Sequence, residues 1–201
     1  SVWQFLPLGP TAYGDSPYQP LSTFAGNEML VDIADLIELG LLTDDEVAEL
    51  TTLPDRYVDY GALIPIKSRL LSLAASRFDE TVSESIQSDF KGFLERNDDS
   101  WLHDYAVFRI LKTHHGERPW PEWQPQFVHR DEAALAQLEA SEARRIRAIK
   151  IIQYLFFRQW WMLRDYAHAN GVTLFGDMPI CIALDSSDAW ANRDILRLDE
   201  N

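Results

Sequence analysis

The sequence predicts an α/β fold: a partial TIM-type (β/α)₈ barrel carrying a large, mostly helical inserted subdomain. Three observations predict it. The segments WQFLPLGPTAYGDSPYQP (Trp3 to Pro20) and GVTLFGDMPICIALDSSDAW (Gly171 to Trp190) are each an apolar run of strand composition that breaks into a loop bearing an acid, a serine and an aromatic residue. Nearly everything between them has helical periodicity. Only one junction, RDYAHANGVTLFGD, has the helix-into-parallel-strand signature. The chain therefore supplies at most two strands where a closed barrel needs eight. A piece of a larger fold is expected, and the closing LRLDEN, which carries no capping element, fits that. The predicted division is residues 1–27 as a barrel strand and ligand loop, 28–130 as the inserted helical subdomain, and 131–201 as barrel helix, strand and loop.

The elements follow in order. Trp3 to Leu8 reads as a strand stopped by Pro7 and Pro10, with Gly9, Gly14, Asp15, Ser16 and Pro17 supplying turn chemistry. In MLVDIADLIELG, Leu30, Ile33, Ala34 and Ile37 recur at helical spacing and Gly40 is the stop. Thr43 and Glu46 form a capping box for a short helix through Leu50, which Pro54 ends. Val58 to Phe78 is a longer helix if Pro65 sits in its first turn. A polar helix runs from Ser83 to Glu95. Asn97, Asp98 and Asp99 are candidate N-caps for a helix with Trp101, Tyr105, Phe108 and Leu111 on one stripe and Gly116 at its end. ERPWPEWQPQF reads as a rigid aromatic loop. Asp131 to Ala169 is helical but longer than usual, so a break near Ser141 is expected, with Asn170 and Gly171 closing the second half.

Composition narrows the function. A net charge of −14 and a pI near 4.6 oppose binding to nucleic acid and to anionic membrane surfaces. Even IIQYLFFRQWWMLRDY is interrupted by Gln153, Arg158, Gln159 and Arg164, so no membrane span is expected. The first residues lack a basic region followed by an apolar core, so no secretory signal is expected, and one cysteine cannot form an internal disulfide, which makes the cytoplasm the expected location. Seven tryptophans and seven tyrosines suit sugar recognition, but most are expected to fill helix interfaces.

Among single residues, Asp15 has an ordinary reading as a turn or cap residue, whereas Asp177 closes an apolar strand on the open face of an α/β fold, where ligands bind. Asp185, Ser186 and Asp188 read as caps for the turn containing Trp190. His114 and His115 are adjacent on a helix, point about 100° apart and cannot easily share an ion, so a solvated helix end is expected. His103, His129 and His168 lack partners at ligand spacing, and Cys181 reads as a small core residue. GDSPY and GDMPI lack the glycines of a phosphate loop. No cofactor and no metal are expected.

Taken together, LPLGPTAYGDSPYQPLSTFAGN, VDYGALIPIK, WLHDYAVFRILK, FFRQWWMLRDYA and GDMPICIALDSSDAWAN resemble the amylomaltases, the bacterial and plant 4-α-glucanotransferases of glycoside hydrolase family seventy-seven. The likeness runs from the first residues to the last. It implies an enzyme that cleaves an α-1,4-glucan such as starch, glycogen or a maltooligosaccharide, holds the donor piece covalently, and passes it to the 4-hydroxyl of another glucan. Retention needs a carboxylate nucleophile and an acid/base carboxyl about 5 to 5.5 Å apart. The family carries them on later strands, beyond this chain, so no residue here is assigned a catalytic role. By motif, Tyr18 resembles the aromatic platform at the cleavage point, Ser16 a glucan contact, and Asp177 the aspartate that hydrogen-bonds the donor sugar, with Asp15 beside them. Tyr13 and Tyr60 resemble tyrosines of a second glucan groove. Ala12 and Cys181 stand where many relatives have glycine and tyrosine.

Two other classes compete: a non-catalytic carbohydrate-binding module that kept the two loops, and a helical interaction protein. A module should be monodisperse and unfold cooperatively, whereas a piece of a barrel should expose strand flanks and self-associate.

Overall fold

The computed structural model describes residues 1–12, 16–196 and 198. Two strands, β1 (Val2–Gln4) and β2 (Thr173–Phe175), pair in parallel with Val2 opposite Thr173, Trp3 opposite Leu174 and Gln4 opposite Phe175. This is the parallel, adjacent pair expected from the helix-to-strand junction. β1 is shorter than the predicted Trp3 to Leu8. The ladder extends one further bond, from the Phe5 amide to the Phe175 carbonyl at 3.1 Å. Beyond it Pro7 has no N–H to give, and the Leu8 carbonyl accepts from the Asn27 amide at 2.8 Å instead.

Between the strands lie α1 (Ile33–Glu38), α2 (Asp44–Val47), α3 (Tyr60–Thr81), α4 (Glu84–Asn97), α5 (His103–His114), α6 (Pro125–Val128) and α7 (Glu132–Ala169), and α8 (Ser187–Ala191) follows β2. The local signals hold where they are local. Gly40 has φ +71°, and the bonds Gly40 N–H to Ile37 C=O and Leu41 N–H to Leu36 C=O close α1 as a Schellman motif. Gly171, at φ +70°, closes α7 the same way through His168 and Ala167. The Thr43–Glu46 capping box is present, with the Glu46 carboxylate 3.0 Å from the Thr43 amide.

Three expectations need correction. Pro65 lies in the second turn of α3, because Asp59 caps the helix one turn earlier by accepting from the Ala62 amide at 3.1 Å. Only the bond that would have reached the Gly61 carbonyl is lost. Asn97, Asp98 and Asp99 do not start a new helix: α4 runs into α5 through a π-helical segment, Asp98–Leu102. Asn97 donates to the Phe93 carbonyl and accepts from Trp101 Nε1, holding that wider turn. Finally, α7 has no break at Ser141, whose hydroxyl bonds back to the Leu138 carbonyl at 2.8 Å. The aromatic stretch after Gly116 also folds locally, with a 3₁₀ turn at Trp120–Glu122 and then α6.

Packing explains the unbroken helix. Leu138 and Ile146 sit in a core with Phe108, Leu111, Trp120, Trp123 and Trp190, whereas Ile151, Tyr154, Leu155 and Phe156 sit in another with Leu70, Ala74, Phe78, Phe90 and Phe93. Each half of α7 therefore buries its own apolar face, and burial rather than propensity sustains the length. No helix among the described residues is long and apolar enough to cross a membrane.

Candidate functional site

Because β1 and β2 are parallel and in register, the loops that follow them leave the sheet on the same side. The first loop is pinched at its base by the Leu21 amide on the Pro10 carbonyl at 2.9 Å and by an antiparallel bridge between Thr11 and Pro20. Near its tip, the Ser16 hydroxyl accepts from the Tyr18 amide at 3.3 Å and the Ser16 carbonyl from the Gln19 amide, a turn that presents the Tyr18 ring. The second loop begins at Gly176, where a Cβ would stand 3.1 Å from the Phe5 ring, so the backbone passes close over β1. Asp177 follows at once, its Oδ1 accepting from the Met178 amide at 2.8 Å.

Among the described residues, one side-chain hydrogen bond joins the two loops. Tyr18 donates its phenolic O–H to Asp177 Oδ2 at 2.8 Å across 159 residues of sequence. That hydrogen bond raises the Tyr18 pKa above its ordinary value, aided by desolvation and by the Asp177 charge. Tyr18 remains 38% exposed and Asp177 is also open to solvent, so a ligand can reach both an aromatic residue and a carboxylate. Of the other residues singled out from sequence, Ser16 lies beside Tyr18, and Tyr60 is exposed at the first turn of α3. Tyr13 and Asp15 lie outside the described residues.

Long-range clamps hold this rim. Lys112, 3% exposed, donates to the Glu117 and Arg118 carbonyls and to Asp185 Oδ2, using all three of its donors at 2.7 to 3.0 Å. Trp120 donates its indole N–H to the Leu184 carbonyl at 2.6 Å and its amide to Asp185 Oδ1. Asp188 accepts from the Thr23 amide at 2.7 Å and the Leu21 carbonyl from the Ser187 amide at 2.8 Å, tying the first loop to α8. Burial raises the Asp188 pKa despite the Thr23 amide. The expected caps therefore divide: Ser186 does cap α8, accepting from the Ala189 amide, while Asp185 and Asp188 are tertiary clamps.

Gln153 and Gln159 make a matched pair of clasps on α7. The Gln153 amide accepts from Gly26 N–H at 2.8 Å and donates to the Gly26 carbonyl at 2.9 Å; Gln159 does the same to Asp32 at 2.7 and 3.1 Å. None of these partners was legible in sequence. Lys112 alone left a trace, as a charged residue one turn after Phe108 on a buried stripe.

Two further expectations need correction. Cys181 is exposed rather than a core residue, because the second loop turns outward with Met178 and Ile180 before α8 begins. The solvated helix end holds for His114, which is exposed at the end of α5 and meets Glu142 at 2.9 Å, but His115 is half-buried and stacks on Trp123 with ring centroids 5.2 Å apart. Among the described residues no group of three or more histidine, cysteine or acidic side chains is arranged to hold a metal ion.

A family model described as 4-alpha-glucanotransferase matches residues 1–201. The 4-alpha-glucanotransferase of Thermus thermophilus is 42% identical over 198 residues, covering 98% of this chain and 39% of that protein. The chloroplastic/amyloplastic 4-alpha-glucanotransferase of Solanum tuberosum is 34% identical, covering 96% of this chain and 34% of that protein. The solved structure of amylomaltase from Streptococcus agalactiae in complex with acarbose superposes with a TM-score of 0.90 at 33% identity, covering 99% of this chain and 40% of that one. The chain thus spans about two fifths of the length of relatives such as the Thermus thermophilus protein.

Proposed function

This chain belongs to the 4-alpha-glucanotransferase family, and from that premise we propose that it supplies part of the glucan-binding rim of an enzyme that transfers a segment of an α-1,4-glucan to the 4-hydroxyl of an acceptor glucan or glucose. The observation that carries the reading is the Tyr18–Asp177 contact at 2.8 Å, which joins an exposed ring to a carboxylate on the shared rim of two parallel strands. Rings stack on the C–H faces of sugars, and a carboxylate accepts from their hydroxyls. In this reading Tyr18 is the platform, Asp177 holds the donor sugar, Ser16 and Asp15 flank them, and Tyr13 and Tyr60 belong to a second groove. The nucleophile and the acid/base carboxyl lie outside this chain.

We read the two strands as consecutive pieces of a (β/α)₈ barrel, with residues 28–130 as the inserted helical subdomain. An apolar groove of about 460 Å³ beside β1 and α7, lined by Trp3, Phe5, Leu30, Trp160 and Leu163, supports this, since a neighbouring barrel element would fill it. α-1,4-Glucans of starch, glycogen or maltodextrin are the proposed partners, in a reducing compartment such as the cytoplasm, where the single exposed Cys181 stays a thiol.

The test is calorimetric titration of the chain with maltoheptaose. Tyr18→Ala, which removes the ring, and Asp177→Asn, which removes the charge but keeps the shape, should each weaken binding by about tenfold. Unchanged affinity in both variants, with both still folded, would remove the assignment.

A further inference from the structure

A second cavity, of about 930 Å³, opens between α3, α5 and α7, and none of its lining residues belongs to either loop of the glucan rim. It holds polar groups that the fold leaves short of partners. Tyr105 lines the cavity and is 1% exposed, yet its hydroxyl makes no hydrogen bond among the described residues. Arg109, one turn along α5, lies 3.9 Å from Glu28 and 3.7 Å from Glu117, close enough for attraction but beyond hydrogen-bond distance. Glu28 Oε2 is buried with no hydrogen-bond partner among the described residues. Buried polar groups in folded proteins are almost always satisfied, by protein, water or ligand. Glu28 Oε2 departs from that rule, and Tyr105 and the loosely paired Arg109 line the same roomy space, which marks a place where something polar belongs.

Their chemistry selects among ligands. A guanidinium only donates, a carboxylate only accepts, and a neutral phenol does both. Burial, reinforced by the nearby Glu28 charge, keeps the Tyr105 phenol neutral far above its ordinary range, so its proton stays available. The lining mixes both signs, Arg109 beside Glu28 and Arg144, Arg145 and Arg147 beside Asp79 and Glu80, so an inorganic anion or a cation would each meet like charge as well as opposite charge. A molecule with adjacent hydroxyls suits all three, one hydroxyl accepting from Arg109 while donating to Glu28, and its neighbour pairing with Tyr105. Ile149 and Ile152 add an apolar wall for its C–H faces. We propose that this cavity binds a neutral polyhydroxylated small molecule of monosaccharide size, held by Glu28, Tyr105 and Arg109, at a site separate from the Tyr18–Asp177 rim.

Backbone amide NMR on the chain decides it, with glucose as probe and inorganic phosphate as competitor class. Glucose should produce saturable shifts at Glu28, Tyr105 and Arg109, and phosphate should not. Arg109→Gln should weaken glucose binding there by about tenfold or more, and Tyr105→Phe, which deletes one oxygen and preserves packing, by about threefold. Tyr18→Ala should leave these shifts unchanged, so failure of the glucan-rim assignment and failure of this one are read separately. Absence of saturable shifts at these residues with glucose, shifts with phosphate alone, or full binding by a folded Tyr105→Phe protein would each overturn the proposal.

Discussion

At the scale of single residues, the bond between Tyr18 and Asp177 has a spectroscopic consequence. Asp177 accepts the phenolic proton, so it favours neutral tyrosine, and the raised pKa of Tyr18 follows. In Asp177→Asn the acceptor loses its charge, and Tyr18 should ionise at lower pH, nearer its ordinary value of 10.0. Carbon-13 NMR of the Tyr18 Cζ across an alkaline titration reads this directly. An unchanged titration midpoint in the variant would mean that the two loops do not meet in solution. Gly26 shows the opposite kind of residue, one fixed by its surroundings. Gln153 clasps both its backbone groups, and a Cβ there would overlap the Phe156 ring. Gly26→Ala should cost about 1 to 3 kcal/mol in urea unfolding, because the crowded ring is itself core. A cost below a few tenths of a kcal/mol would show that Phe156 moves aside freely.

At the scale of elements, the long helix carries the sharpest claim. α7 runs unbroken from Glu132 to Ala169 and joins two separate cores. Ser141→Pro removes an interior helical hydrogen bond and drives a ring against the preceding turn, so a loss of about 3 kcal/mol or more is expected from urea denaturation. Were the helix really two pieces meeting at Ser141, proline there would cost little, and Ser141→Ala serves as the neutral comparison. The ends of the same helix illustrate what is legible locally. The helical pattern begins at Asp131, which caps the helix by accepting from the Ala134 amide at 2.9 Å, and Gly171 closes it as expected. The middle defied the pattern because continuity is decided by the residues packed against it.

At the scale of the whole molecule, the two-stranded sheet leaves each strand with an outer edge unpaired among the described residues, and Val2, Trp3 and Phe175 lie exposed beside those edges. Open edges with apolar flanks recruit other chains. Sedimentation over a range of micromolar concentrations should therefore give a mass that rises with concentration. A monodisperse monomer with a single cooperative unfolding transition would favour the carbohydrate-binding module over the barrel piece. Incubated alone with maltotriose, the chain should yield no longer maltodextrins, because the carboxylate pair that retaining transfer requires is not assigned to any of its residues. Chromatographic detection of disproportionation would overturn that reading.

What the sequence determined by itself is what short-range physics controls: the two strands and their parallel pairing, the Gly40 and Gly171 helix ends, the Thr43–Glu46 cap, and the loops that carry Tyr18 and Asp177. Each depends on residues a few positions apart, or on a connection whose handedness and length leave little choice. Tertiary structure alone decided that Asp185 and Asp188 clamp loops rather than cap a helix, that Cys181 faces solvent, and that Gln153 clasps Gly26 from 127 residues away. A side chain that can cap, pair or face solvent with similar local cost takes the role its distant neighbours offer. Those neighbours are set by how the two cores pack against α7, which no short window of sequence contains.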